Sequence, residues 1–161
     1  MHRTANYVSP VGKLYLEADA EALLAVRFDP VAGGAVAGSN AVLRRAAAWL
    51  DRYFAGEAVS PRELPLRIAG SPFRRTILQL LMDVPYGHSV TYGELAAAYA
   101  RRVGVPRMSA RAVGGAVGAN PLPIIIPCHR VLAAGGRLGG FSCGPEVKRR
   151  LLALERIGYR E

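Results

Sequence analysis

The 161 residues contain two cysteines, and one of them, Cys128, falls in the stretch "NPLPIIIPCHRVL". A structural cysteine sits inside an apolar pattern. This one ends such a pattern, with His129 and Arg130 as its next neighbours. The attacking form of cysteine is the thiolate, and its free pKa of ~8.5 falls beside a protonated histidine or an arginine. These residue types therefore suit a nucleophile. Adjacent side chains point in different directions, so a link from Cys128 to His129 would run through a turn or a bridging water. Ile124, Ile125 and Ile126 suit a buried strand, which Pro127 ends because it has no N–H to give to a ladder. Cys128 is then expected at a strand end, lining a pocket.

A third member can be sought by pattern. In "PEVKRRLLALERIG", Pro145 starts a helix whose inner side is marked by Val147, Leu151 and Leu154. Glu155 falls beside that stripe. A carboxylate there is disfavoured by partial burial and by its place near a helix C-terminus, so it needs a partner. His129 is one candidate, which would give a Cys–His–Glu arrangement in which each group orients the one before it. A surface pairing with Arg156 or Arg160 is the other, and the pattern leaves both open.

The elements that must position these groups are also legible. "KLYLEA" alternates like a strand, "ALLAVRF" is a short apolar run, and "SPVG" is a turn between the first two strands. "SNAVLRRAAAWLDRYFAGE" predicts a helix capped by Ser39 or Asn40, with Leu43, Ala46, Leu50 and Tyr53/Phe54 as its stripe and Gly56 at its end. Pro61 and Pro65 mark a linker. Beyond it, Ser71 and Pro72 open a helix with Phe73, Ile77, Leu80/Leu81 and Val84 on one face. Thr91 and Glu94 fit a capping box for "TYGELAAAYA", and Ser109 caps "ARAVGGAVGA". The last two helices and their Gly/Pro-containing turn suggest a helix-turn-helix, although the turn is longer than usual. The second helix offers Arg111 and then little that reads base edges. Gly114 and Gly115 in its interior cost roughly 1 kcal/mol each against alanine. Either tight helix packing or close approach to another surface would explain them.

Charge is unevenly spread. Residues 1–70 hold 8 Lys/Arg against 7 Asp/Glu, while residues 71–161 hold 13 against 5. Nearly all of the net +9 therefore lies on the second half, which suits a polyanion such as DNA, RNA or a membrane surface, or else a solvated basic face. No secretory signal and no ~20-residue apolar span is visible, and two cysteines make no disulfide framework. A soluble, cytoplasmic protein with free thiols is expected.

"RAVGGAVGANPLPIIIPCHRV", followed by a Gly-rich loop and "KRRLLALE", closely resembles the O6-alkylguanine-DNA alkyltransferases over roughly residues 71–156. Pattern and resemblance together imply an α/β (α+β) chain: a small N-terminal α/β domain with antiparallel strands, 1–65, and a mainly helical C-terminal domain, 66–161, carrying a helix-turn-helix. The resemblance implies that Cys128 accepts the alkyl group irreversibly, in a single turnover. His129 and Glu155 would complete its proton network, Tyr92 would donate to the departing guanine, and Asn120 would tie the recognition helix to the active-site strand. Arg111 would fill the gap left by a flipped nucleotide, with Ala112, Gly114, Gly115, Thr91 and Ser109 also on DNA. Met108, Pro123, Val131, Gly139, Phe141 and Ser142 would line the pocket. The implied partner is double-stranded DNA containing O6-alkylguanine, with O4-alkylthymine a further substrate. No cofactor, no metal and no membrane are expected, and the protein would be a monomer in solution.

Some residues depart from the family pattern. Phe141 and Cys143 stand where many relatives carry Tyr and Gly. Residues 1–70 have no Cys and only His2, so the zinc site of some members is absent. Three rival readings remain. A base-flipping protein that lacks transfer chemistry would also lack Cys128. A cysteine hydrolase would leave the basic half unexplained. A plain helix-turn-helix regulator is disfavoured by its bland second helix.

Overall fold

The computed structural model describes residues 2–30 and 36–161. Four strands form the first sheet: β1 (Arg3–Ser9), β2 (Gly12–Ala18), β3 (Leu23–Arg27) and β4 (Val36–Ala37), in the order β3-β2-β1-β4. β1, β2 and β3 are antiparallel neighbours, as expected; β4 was not anticipated and pairs parallel with β1. Alternation gives β2 its inner face: Leu14, Leu16 and Ala18 are buried, every second residue turning the same way.

Helix α1 (Ala41–Phe54) packs on that sheet through Val42, Leu43, Ala46, Trp49, Leu50 and Tyr53. Asn40, rather than Ser39, is its cap. Its Oδ1 accepts from Leu43 N at 2.8 Å, and its Nδ2 donates to Asp19 O at 3.0 Å, which joins the helix to the β2–β3 turn. The proline-marked linker is tied down. Leu23 N donates to Pro65 O at 2.7 Å, Arg67 N to Leu23 O, and Trp49 Nε1 to Ser60 O.

The second half contains α2 (Pro72–Leu81), α3 (Tyr92–Val103), α4 (Ala110–Gly118) and α5 (Pro145–Leu154), with a short parallel pair of β5 (Val90–Thr91) and β6 (Val131–Leu132). Ser71, Thr91 and Ser109 cap α2, α3 and α4 as the pattern predicts, and the Thr91–Glu94 capping box is complete. α3 ends at Gly104, whose φ of 77° is the left-handed stop that glycine adopts freely. The turn Gly104–Ser109 joins the helix pair.

One expected element is not formed. Ile124–Ile126 is buried but is a turn, not a strand. Pro121, Pro123 and Pro127 remove too many ladder donors, and the chain closes on itself instead. Ile126 N donates to Leu122 O, Asn120 Nδ2 donates to Ile126 O at 2.9 Å, and Leu122 N donates to Asn120 Oδ1 at 2.9 Å. Ile124 takes φ 74°, a costly conformation for a β-branched residue that persists where its surroundings over-determine it. Val26 N donates to Pro121 O at 2.9 Å, so β3 braces this turn from the N-terminal side. The hydrophobic core runs unbroken from Leu14 of β2 through α1 and α2 to Cys128 and Leu151.

Candidate active site and DNA-binding face

The clamped turn delivers Cys128 as the first residue of a 3-10 turn, Cys128–Arg130, whose side chains are all buried. Cys128 lines a cavity of about 170 Å³ with Tyr92, Gly114, Val117, Gly118, Gly140, Phe141 and Ser142. That is smaller than the ~300–1,000 Å³ usual for drug-sized ligands; it suits one planar group. Tyr92, Phe141 and Ser142 were expected near the thiol; Gly114 was expected on DNA and lines the cavity instead. Val117, Gly118 and Gly140 were not singled out by the sequence. Met108, Pro123, Val131 and Gly139 do not line this cavity. Pro123 and Val131 are buried, Gly139 is exposed, and Met108 lies with Ala97, Arg101 and Arg107 at the helix–turn–helix corner.

The resting sulfur differs from the expected thiolate. Burial pushes the Cys128 thiol up to about 12, against a hydrogen bond from Asn120 and the charge of Lys148, both of which favour ionisation. His129 does not offset this, because burial and the nearby Arg130 and Lys148 hold its pKa low. Arg130 does not face the thiol either. Its Nε donates to Glu155 Oε1 at 2.8 Å and its Nη1 to Val84 O at 2.7 Å. At neutral pH the site therefore rests as thiol and neutral imidazole.

Glu155 is fully buried at the end of α5 and pairs with His129, not with Arg156 or Arg160. Its Oε2 receives His129 Nε2 at 2.5 Å, Tyr53 Oη at 2.6 Å and Arg130 Nη2 at 3.2 Å. Its Oε1 receives Arg130 Nε and the Gly87 N–H at 3.0 Å. Burial alone would raise this carboxyl, but the hydrogen bonds and charges of His129 and Arg130 outweigh it and hold it at about 2. Because an ionised carboxylate only accepts, His129 presents a proton on Nε2 and leaves Nδ1 free. Nδ1 is the one buried side-chain nitrogen or oxygen without a hydrogen-bond partner among the described residues.

Two members of this cluster were missed. Tyr53 was read only as part of the α1 stripe. Lys148 is buried in α5 and donates to Val131 O at 2.7 Å and Gly140 O at 3.0 Å, so it ties the pocket loop to the strand after Cys128. The signal was present in both cases: a polar tip at a position that helical periodicity sends inward.

On the outside, α4 exposes Arg111, Ala112, Gly115 and Gly118, one stripe at helical spacing, while Val113, Ala116 and Val117 face the core. A Cβ at Gly115 or Gly118 would meet nothing within 4 Å, and one at Gly114 would lie 3.8 Å from the Tyr92 ring. Crowding within the chain therefore does not require Gly115 or Gly118. Arg101, Arg102 and Arg107 are exposed beside this face, at the end of α3 and in the turn. Thr91 and Ser109 use their hydroxyls as helix caps. Among the described residues, no group of three or more His, Cys, Asp or Glu side chains is placed to hold a metal ion, and no helix is long and apolar enough to cross a membrane.

Glu155→Gln keeps the shape and removes the charge. At neutral pH it should cost about 3–5 kcal/mol of unfolding free energy, the range for breaking a buried pair from one side. The wild-type advantage is full above the unfolded carboxyl value of 4.5 and is lost as pH falls towards the folded value of about 2. Urea unfolding of both proteins from about pH 7 to about pH 3 should show the gap narrowing only below about pH 4.5. A gap independent of pH would contradict an ionised Glu155.

Comparisons with known proteins match both halves of the chain. The model of the 6-O-methylguanine DNA methyltransferase DNA-binding domain matches residues 72–157, and that of the same family's ribonuclease-like domain matches residues 3–68. A methylated-DNA–protein-cysteine methyltransferase of Haemophilus influenzae is 40% identical, covering 95% of this chain and 86% of that protein. One of Methanosarcina acetivorans is 37% identical, covering 94% and 96%. The crystal structure of Mycobacterium tuberculosis O6-methylguanine methyltransferase superposes with a TM-score of 0.82 at 35% identity, covering 97% of this chain and 93% of that one. A structure of the Mycobacterium tuberculosis protein in complex with DNA gives 0.80 at 36%, covering 96% and 92%. With both family models matched in sequence order and relatives aligned nearly end to end, this chain belongs to the 6-O-methylguanine DNA methyltransferase family.

Proposed function

We propose that the protein repairs alkylated DNA by direct reversal: it takes the alkyl group of an everted O6-alkylguanine, or O4-alkylthymine, onto Cys128. The observation that carries this reading is the place of Cys128, on the wall of a one-base cavity whose rim includes the exposed Gly118 of α4. An O6-alkyl carbon cannot be reached inside a stacked duplex, so the base must be flipped out at a cost of a few kcal/mol. Arg111, exposed on the first turn of α4, fills the gap in the stack. Ala112, Gly115 and Gly118 let the helix approach the minor groove closely. Arg101, Arg102 and Arg107 add sequence-independent attraction to phosphates.

Chemistry begins from the neutral thiol. His129, its Nε2–H held by Glu155, takes the thiol proton on Nδ1 through a bridging water, while Asn120 and Lys148 stabilise the charge on sulfur. The S–C bond forms as the C–O6 bond breaks in line, and the electron pair leaves on guanine. Tyr92, whose pKa is raised chiefly by burial, keeps its hydroxyl proton and donates it in a hydrogen bond to the departing base. The product is a thioether, which water does not hydrolyse as it would a thioester, so each molecule acts once. In this scheme residues 1–65 support and residues 66–161 bind and transfer; the protein acts as a monomer in the cytoplasm.

Incubation with a duplex carrying one O6-methylguanine should add one methyl group per molecule to Cys128, read by peptide mass spectrometry. Cys128→Ala should add none. Repeated turnover, or tight binding without an adduct, would contradict transfer. Arg111→Ala should slow reaction with the duplex by roughly ten- to a hundredfold, because a few kcal/mol of unstacking is no longer offset. Its reaction with the free base O6-benzylguanine should be unchanged, and an equal loss on both substrates would rule out the flipping role.

A further inference from the structure

Tyr53 lies on α1, in the N-terminal half, yet its hydroxyl reaches across 102 positions of sequence to Glu155 Oε2 at 2.6 Å. It also stands 3.3 Å from His129 Nε2. Packing alone does not account for the hydroxyl. The ring stacks on Trp49 and meets Phe54 and Tyr86 edge-on, contacts that a phenylalanine would keep. We propose that Tyr53 is a positioning residue for alkyl transfer: by donating to the oxygen that holds His129, it sets how strongly the carboxylate retains a proton on the imidazole. This rests on the transfer reading above.

The physical reason is competition at one atom. A carboxylate oxygen offers about two lone-pair directions, and Oε2 already serves His129 Nε2, with Arg130 Nη2 at its edge. Each further donor withdraws negative charge from the side that faces the imidazole. Tyr53 is a constant donor, because burial first and the charge of Glu155 second push its pKa far above the usual phenol value. Arg130 and Lys148 oppose an imidazolium at position 129, and Glu155 favours one. Tyr86 and Arg156 stand one layer further out, and the Gly87 N–H serves the other oxygen. Among these groups Tyr53 is the neutral one that touches both His129 and Glu155.

Tyr53→Phe should leave a more basic carboxylate, a His129 that takes a proton from solvent at higher pH, and fewer molecules able to accept the proton of Cys128. Benzyl transfer from free O6-benzylguanine should therefore show an acid limb displaced upward by about half a unit, a loss of up to about threefold on that limb, with the two rates converging above it. Tyr7→Phe is the control. It removes another tyrosine–carboxylate bond to the same helix, Tyr7 Oη to Asp51 Oδ1 at 2.6 Å, and should keep the wild-type profile. Incorporation of 3-fluorotyrosine at position 53 keeps the ring and strengthens the donor, so the acid limb should move down; it carries the test if Tyr53→Phe does not fold. Superimposable profiles, or a uniform loss without displacement, would overturn the positioning role while transfer stands. A wild-type protein whose Cys128 takes no benzyl group would overturn the transfer reading, and this one with it.

Discussion

A single ionised carboxylate holds the site together. Taking Glu155 out of water costs several kcal/mol, and the cost is met only because donors arrive from three parts of the chain. Tyr53 comes from α1, Gly87 from the loop after α2, His129 and Arg130 from the turn at Cys128, and α5 brings Glu155 itself. The N-terminal sheet and helix contribute a proton donor to the network as well as a packing surface. If α1 shifts, the imidazole loses part of its fixed environment.

The same burial that orders the network shields Cys128, the proposed nucleophile. A low-pKa thiolate open to solvent would be spent on oxidants and stray electrophiles. Here the thiol rests protonated, with its ionisation favoured by Asn120 and Lys148, and His129 is held neutral. Reactivity is thereby tied to an occupant of the cavity. If Cys128 is used only once, as proposed, reserve matters more than speed in free solution.

Most of the scaffold was legible because its signals are local. Asn40, Ser71, Thr91–Glu94 and Ser109 each cap the helix they precede. The apolar stripes of α1, α2 and α5 all face the core. Non-local facts were harder. The Ile124–Ile126 run has the composition of a strand, but three prolines and the Asn120 amide fold it into a turn, so burial was read correctly and geometry was not. Arg130 follows the nucleophile in sequence yet turns to Glu155 and the Val84 carbonyl. Glu155 was undecided by pattern, since periodicity places it beside the buried stripe without naming its partner. Tyr53 and Lys148 were hidden in their stripes, because an amphipathic pattern records which way a side chain points and not what its polar tip meets. Gly118 and Gly140 bound the cavity only through tertiary approach.

The central claim is that Glu155 fixes His129 as a neutral imidazole protonated on Nε2, with Nδ1 bare and ready for the proton of the thiol. Long-range proton–nitrogen correlation of the histidine rings at about pH 7 reads this directly, since the two nitrogens of a neutral imidazole differ strongly when one carries the proton. The account predicts for His129 a protonated Nε2 and a bare Nδ1. An imidazolium, or a proton on Nδ1, would contradict it.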